Sequence, residues 1–274
     1  MVMSNHPDEE LSVLLAHLEE LCDRAARGRF THSAFLTPRE AKHAQSMLRR
    51  RGQWHRARLW GGYTDAERVL LLLFPDYITD MIAEDEWHVT PVEALLPLAG
   101  EDDPVVALDI RGSGYRNLTH RDFLGSLLSL GLERSVLGDI AVREDGATVF
   151  CAAHIAPFLL SSVERIAGDA VRVQKTTVPP DFDGGRRYRP LRDTVASPRL
   201  DCIVAALCHL SRDAAQTAVR GGLVEVDYEC EERVDVTVSI PCVISVRGVG
   251  KFAVRSLGKA NRRGRFPLIA DQYI

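Results

Sequence analysis

Between Ser197 and Val226 the hydrophobic pattern switches from a helical period to a strand period, and this switch most narrows the folds open to the chain. Leu200, Ile203, Val204, Leu207 and Leu210 recur at helical spacing and form one apolar stripe. Ser211 then stands as an N-cap for a second helix. In that helix Ala214, Ala215, Ala218 and Val219 are predicted to face the core, with Arg212, Gln216 and Arg220 four residues apart on the exposed face. Each helix is predicted to open on a polar cap and an arginine, Ser197-Pro198-Arg199 and Ser211-Arg212. Gly221-Gly222 supplies the stop before the strand Leu223-Val224-Glu225-Val226. The module so defined is two short helices followed by alternating strands, with cations on one side and core on the other.

Charge points the same way. Arg247, Lys251, Arg255, Lys259, Arg262, Arg263 and Arg265 follow with no acidic residue among them. From Arg186 onward the net charge is +5, whereas the preceding residues carry −9, giving −4 overall. A basic module on an acidic body argues against indiscriminate coating of a polyanion and for a defined patch on a phosphate backbone. The predicted contact residues are Arg199, Ser211, Arg212, Gln216, Arg220, Arg247, Lys251, Lys259, Arg262, Arg263 and Arg265.

The rest of the chain reads as α+β, in small domains. Over residues 1–98, Leu11, Leu14, Leu15, Leu18 and Cys22 line one helix face. Thr37-Pro38-Arg39-Glu40 is a capping box preceded by the staple residue Leu36, and Arg49-Arg50-Arg51 suits the helix end. Thr64-Asp65-Ala66-Glu67 has the same capping spacing, yet Leu70 to Leu73 is strand-like, so that segment is ambiguous. Residues 99–177 give a strand at Val105–Arg111, a helix from Thr119 to Leu130 and a hairpin around Glu144-Asp145-Gly146. A helix over His154–Ile166 and a strand over Ala170–Gln174 complete the order of a ferredoxin-like domain, the order also found in RNA-recognition domains. Phe150 is its one candidate for stacking a base. Residues 178–190, rich in proline, glycine and aspartate, read as a mobile linker to a C-terminal domain at 191–274.

Several stretches carry a family resemblance. Arg199-Leu200-Asp201, Leu210-Ser211-Arg212, Ala215 and Gly222-Leu223-Val224-Glu225-Val226 resemble the S-four RNA-binding domain, the alpha-L motif. Phe35-Leu36-Thr37-Pro38-Arg39-Glu40, Trp60-Gly61-Gly62-Tyr63, Phe74-Pro75-Asp76-Tyr77, His120-Arg121-Asp122-Phe123-Leu124-Gly125 and Gly138-Asp139-Ile140 resemble the YlmH family. So do Val243-Ile244-Ser245-Val246-Arg247-Gly248, Gly250-Lys251-Phe252 and Gly264-Arg265. The resemblance implies a bacterial, ribosome-associated RNA-binding protein with a C-terminal alpha-L domain. Its implied partners are large-subunit ribosomal RNA and transfer RNA, with links to quality control on stalled large subunits and to cell division. The turn Val226-Asp227-Tyr228-Glu229 and the pair Pro241-Cys242 depart from the family pattern.

Competing chemistry is weaker. His120-Arg121-Asp122 resembles a kinase catalytic loop but lacks its asparagine, since Leu127 stands at that place. Arg199-Leu200-Asp201 resembles the catalytic triplet of pseudouridine synthases, which makes an RNA-modifying enzyme the alternative; the position of Asp201 inside the alpha-L helix favours an orienting role. A protein-interaction role in cell division is the third reading. The six cysteines include no Cys-x-x-Cys and no His pair sits at ligand spacing, so no metal is expected. With the competing motifs set aside, no cofactor and no catalytic residue is expected either. Residues 1–10 lack an apolar core, and Val69–Phe74 is too short to span a bilayer. A cytoplasmic monomer with reduced thiols is the expectation.

Overall fold

In a computed structural model of the protein, residues 6–274 are described, with side chains from Glu9 onward. Residues 1–5, half of the N-terminal stretch read above as lacking an apolar core, lie outside the described residues. The chain divides into two compact units, residues 1–185 and 186–274.

The first unit opens with α1 (His6–Ala26), β1 (Thr31–His32), α2 (Pro38–Arg50), β2 (Ala57–Trp60) and β3 (Leu70–Leu73). The capping box forms as predicted: Glu40 N donates to Thr37 Oγ1, and Thr37 N to the Glu40 carboxylate. Arg51 caps the far end of α2 and pairs with Glu19 of α1 at 3.0 Å. The antiparallel sheet runs β1-β3-β2. All four leucines of β3 are buried because it has a core on each side. Leu71 and Leu73 pack with α1 and α2, while Leu70 and Leu72 join Trp60, Phe74 and Phe150. Alternation across a pleat sends successive residues to opposite faces, so an unbroken leucine run is what a doubly covered strand requires.

The capping spacing at Thr64 forms no helix. Asp65 takes a left-handed conformation, and the next free backbone donors, Glu67 N and Arg68 N, bond the Asp139 carboxylate at 2.8 and 3.0 Å. A distant carboxylate thus captures the amides a helix start would have used.

After the short helices α3 (Asp76–Thr79) and α4 (Val92–Leu95) come β4 (Val105–Arg111), α5 (His120–Leu128), β5 (Leu137–Arg143), β6 (Gly146–Ala152) and α6 (Ala156–Ser162). A two-stranded ribbon, β7 (Arg165–Ile166) and β8 (Asp169–Ala170), leads to β9 (Arg172–Thr176). The sheet order β5-β6-β4-β9, antiparallel throughout with α5 and α6 packed on one face, is the ferredoxin-like arrangement. The helix expected over His154–Ile166 is shorter. Ala167 and Gly168 both take positive φ, so the chain turns into the β7–β8 ribbon and Ile166 reaches the core from a strand. The last strand begins two residues later than predicted.

The boundary expected between residues 98 and 99 runs through a continuous core. Val105, Phe150 and Ala152 of the ferredoxin-like sheet share one cluster with Phe35, Trp60, Leu70 and Phe74. Arg68, nearly buried, donates to the carbonyls of Leu137, Phe35 and Arg134 across that seam. Residues 178–190 are not a loose spacer throughout. Phe182 packs edge-on to Tyr63 at 5.0 Å, and a side chain at Gly184 would collide with the Tyr63 hydroxyl.

The second unit begins at β10 (Tyr188–Val195), which takes in the last residues of the expected linker. There follow α7 (Leu200–Cys208), α8 (Arg212–Arg220), β11 (Val224–Val226), β12 (Glu229–Cys230), β13 (Cys242–Val246), β14 (Gly250–Leu257) and β15 (Phe266–Tyr273). The six strands run β10-β15-β14-β13-β11-β12. The apolar stripe Leu200, Ile203, Val204 and Leu207 packs with Ala215, Val219, Ile244, Phe252 and Leu268. Leu210 lies past the helix, which ends at His209 in a left-handed conformation. Ala214 is exposed rather than in the core, because Ala215 and Val219 alone occupy the buried edge of α8.

Candidate nucleic-acid interface

The two helices of the second unit meet around one carboxylate. Arg199, not Ser197, occupies the N-cap of α7 and gives no side-chain cap. The first-turn donors go instead to an extended segment, Leu200 N to the Val236 carbonyl and Asp201 N to the Val234 carbonyl. Asp201, one residue inside that first turn, is fully buried. Arg199 donates to both its oxygens, Nε to Oδ1 at 3.1 Å and Nη2 to Oδ2 at 3.2 Å. From α8, Arg212 Nε and Gln216 Nε2 reach Oδ2 at 3.2 and 2.8 Å. Burial alone would raise this carboxyl, but donation from Arg199, Gln216 and Arg212 outweighs it and holds the group well below the usual carboxylate range.

The arrangement fixes guanidiniums without hiding them. The Arg212 side chain keeps 58% of its surface and Arg199 keeps 35%. Each guanidinium has more donors than Asp201 consumes, leaving nitrogens for an outside anion. Asp201 itself, enclosed and met by three side chains, is not placed to attack a substrate. Ser211 serves as the cap of α8, accepting from Ala214 N at 3.2 Å. Arg220 is exposed one turn beyond Gln216, at the end of the same helix.

The other predicted contact residues do not join this cluster. Arg247 is exposed at the turn between β13 and β14. Lys251 alternates with the core residue Phe252 and so lies on the sheet face away from the helices, its Nζ 4.7 Å from the Tyr273 ring centre and 5.1 Å from that of Tyr228. Lys259, Arg262 and Arg263 are exposed on the β14–β15 connection. Arg265 is tied to Thr194, its Nε donating to Oγ1 at 2.8 Å. The divergent turn at Asp227-Tyr228 is a two-residue hairpin loop with positive φ at both positions. Asp227 Oδ1 accepts from Val243 N at 2.8 Å, so its charge is turned toward β13.

In the first unit, Phe150 is fully buried beneath Tyr63 and Phe182 and cannot stack a base, contrary to the sequence expectation. Sequence reasoning missed a second carboxylate-centred cluster here. Asp109, 5% exposed, accepts from Arg111 Nε at 2.8 Å, from Arg143 Nη2 and from Gln174 Nε2 at 3.3 Å. The one available signal was Asp109-x-Arg111, two charged residues on the same face of a strand otherwise apolar. Among the described residues no group of three or more His, Cys, Asp or Glu could hold a metal ion, and no helix is long and apolar enough to cross a membrane.

These features define a two-unit α+β protein: a ferredoxin-like sheet fused to an N-terminal layer, and a helix-backed antiparallel sheet, each gathering arginines round a buried aspartate. The chain belongs to the YlmH family. Residues 13–78 match the family model "YlmH, N-terminal", and residues 105–179 match "Putative RNA-binding domain in YlmH". A curated relative from Bacillus subtilis (strain 168), "Ribosome-associated protein quality control protein P2", is 30% identical over 205 residues, covering 74% of this chain and 72% of the relative. A solved structure, "Cell division protein ylmH from Streptococcus pneumoniae", aligns with a TM-score of 0.49 at 16% identity, over 67% of this chain and 98% of that one.

Proposed function

We propose that the protein is a non-catalytic RNA-binding protein of the ribosome, with the second unit acting as an alpha-L module. Its ligand is structured RNA, large-subunit ribosomal RNA and bound transfer RNA, and its role is in quality control of translation in the cytoplasm. The observation that carries this reading is the bridge from Asp201 to Arg199, Arg212 and Gln216. It presets two guanidiniums and an amide on adjoining helices before any RNA arrives. Arg220 extends the row, and Arg247, Lys259, Arg262 and Arg263 add exposed charge. The name of the Bacillus subtilis relative, which places that protein on the ribosome, supports the choice of partner.

Sedimentation on sucrose gradients tests it. The protein comigrates with large subunits at low salt and leaves them at high salt, because phosphate contacts release counterions at a slope of about 0.7 to 0.9 per phosphate. Arg220→Glu, at a residue exposed at the helix end, shifts the protein to the top of the gradient while its thermal stability holds. Migration at the top at every salt concentration would overturn the reading.

A further inference from the structure

Arg111, the last residue of β4, lies directly opposite Arg172, the first of β9. Like charges facing each other across an antiparallel pair cost stability. Both side chains are exposed, and both alternate with core residues, so they share the sheet face turned away from α5 and α6. Arg111 is tethered by Asp109, which also holds Arg143, whereas Arg172 has no acidic partner among the described residues. A fold that keeps this opposition while one of the two lacks a counter-charge has a place for an outside anion.

The adjoining β4–α5 loop supplies the other half of a site. Ser113 N and Oγ both donate to the Asp169 carboxylate, at 3.1 and 2.5 Å. Arg116 Nη1 donates to the Ala167 carbonyl at 2.7 Å, and Gly112 N to the Asp145 carbonyl at 3.0 Å. Between these pins Tyr115 projects with 92% of its surface exposed, the most exposed large hydrophobic side chain of the described residues. A ring held out by a loop pinned on both sides loses little conformational freedom on stacking, and aromatic rings beside arginines are how proteins take unpaired nucleotides. The sheet's own aromatic, Phe150, is covered and cannot serve.

We infer that this edge of the ferredoxin-like sheet is a second RNA-contact site for a single-stranded stretch, with a base stacked on Tyr115 and neighbouring phosphates on Arg111 and Arg172. The inference rests on the reading of the chain as an RNA-binding protein, but uses residues apart from the alpha-L cluster.

The test uses the full chain, a labelled short mixed-sequence single-stranded RNA, and purified large ribosomal subunits. Tyr115→Ala weakens binding of the single strand about tenfold, within the range for loss of one base stack, and Tyr115→Trp restores it. The double variant Arg111→Gln with Arg172→Gln lowers the log–log salt slope by about 1.4, the value for two single-strand phosphates. Asp109 keeps Arg143 and Gln174 in that variant, and thermal unfolding checks that the fold stands. If both variants bind the single strand like wild type while Arg220→Glu loses the large subunit, this site is overturned and the alpha-L reading survives. If the wild type binds neither RNA nor subunits, both fall. Loss of a protein partner on Tyr115→Ala, with RNA binding intact, would also overturn it.

Discussion

Arg212 Nε lies 3.2 Å from Asp201 Oδ2, joining the start of α8 to the first turn of α7 through a carboxylate that solvent does not reach. The contact makes Arg212 a structural partner as well as a predicted RNA contact. Arg212→Glu would set a second carboxylate against a buried one, so charge reversal at this position tests stability and binding together. Arg212→Ala is milder: with Arg199 and Gln216 still in place, it costs about 1 kcal/mol, the value for a charged hydrogen bond discounted for exposure. Urea unfolding of the variant measures it.

Asp201→Asn raises the net charge by one, and simple attraction would then tighten RNA binding. The expected result is the opposite. An amide cannot accept from both arginines and Gln216 together, so the guanidiniums lose their setting and affinity for large subunits falls about tenfold. Unfolding shows a loss of about 2 kcal/mol for the charged hydrogen bonds given up at the buried position 201.

Acid should act on the same residue. The Asp201 carboxyl sits below the usual range in the folded chain, so as pH falls the unfolded chain takes up the proton first. The stability this carboxylate supplies is complete above about pH 4 and is lost progressively as pH drops toward the folded-state value. Unfolding of the second unit followed from pH 6 downward falls more steeply in wild type than in Asp201→Asn, which keeps only the dependence of other carboxylates such as Glu231, held low by Arg233.

Gly146, at the turn from β5 to β6, has φ 153° and room for no side chain: a Cβ there would lie 1.9 Å from the Ile110 carbonyl oxygen. Gly146→Ala forces the β4–β6 register apart and costs about 3 kcal/mol. Thermal unfolding reads this directly, and Gly131→Ala, with nothing near its Cβ, loses less.

The cysteines differ in reach. Burial pushes the Cys151 thiol up to about 12 and leaves it no exposed surface, whereas Cys230 is exposed on β12. A maleimide reagent followed by mass spectrometry labels Cys230 first in the native protein, and Cys151 only after unfolding.

Local signals in the chain proved reliable where a short stretch satisfies itself. The Thr37 box, the Thr119 cap answered by Asp122, the Ser211 cap and the stripe of α7 needed only residues within a turn or two of each other. The ferredoxin-like order could be read because each strand and helix carried its own period. Signals answered from far away stayed ambiguous or misled. The Thr64 spacing yielded to Asp139, and Phe150, an apparent base-stacking residue, was roofed by Tyr63 and Phe182.

The sequence by itself determined the types and order of most elements, the basic C-terminal region and the helical row Arg212-Gln216-Arg220, since periodicity and caps are properties of neighbours along the chain. Only the tertiary structure decided that residues 6–185 form one compact unit, that Asp201 gathers Arg199, Arg212 and Gln216, that Lys251 lies on the other sheet face, and that Arg111 lies opposite Arg172. The physical reason is that burial of a carboxylate and the register of paired strands depend on contacts between residues remote in the chain, which no local pattern records.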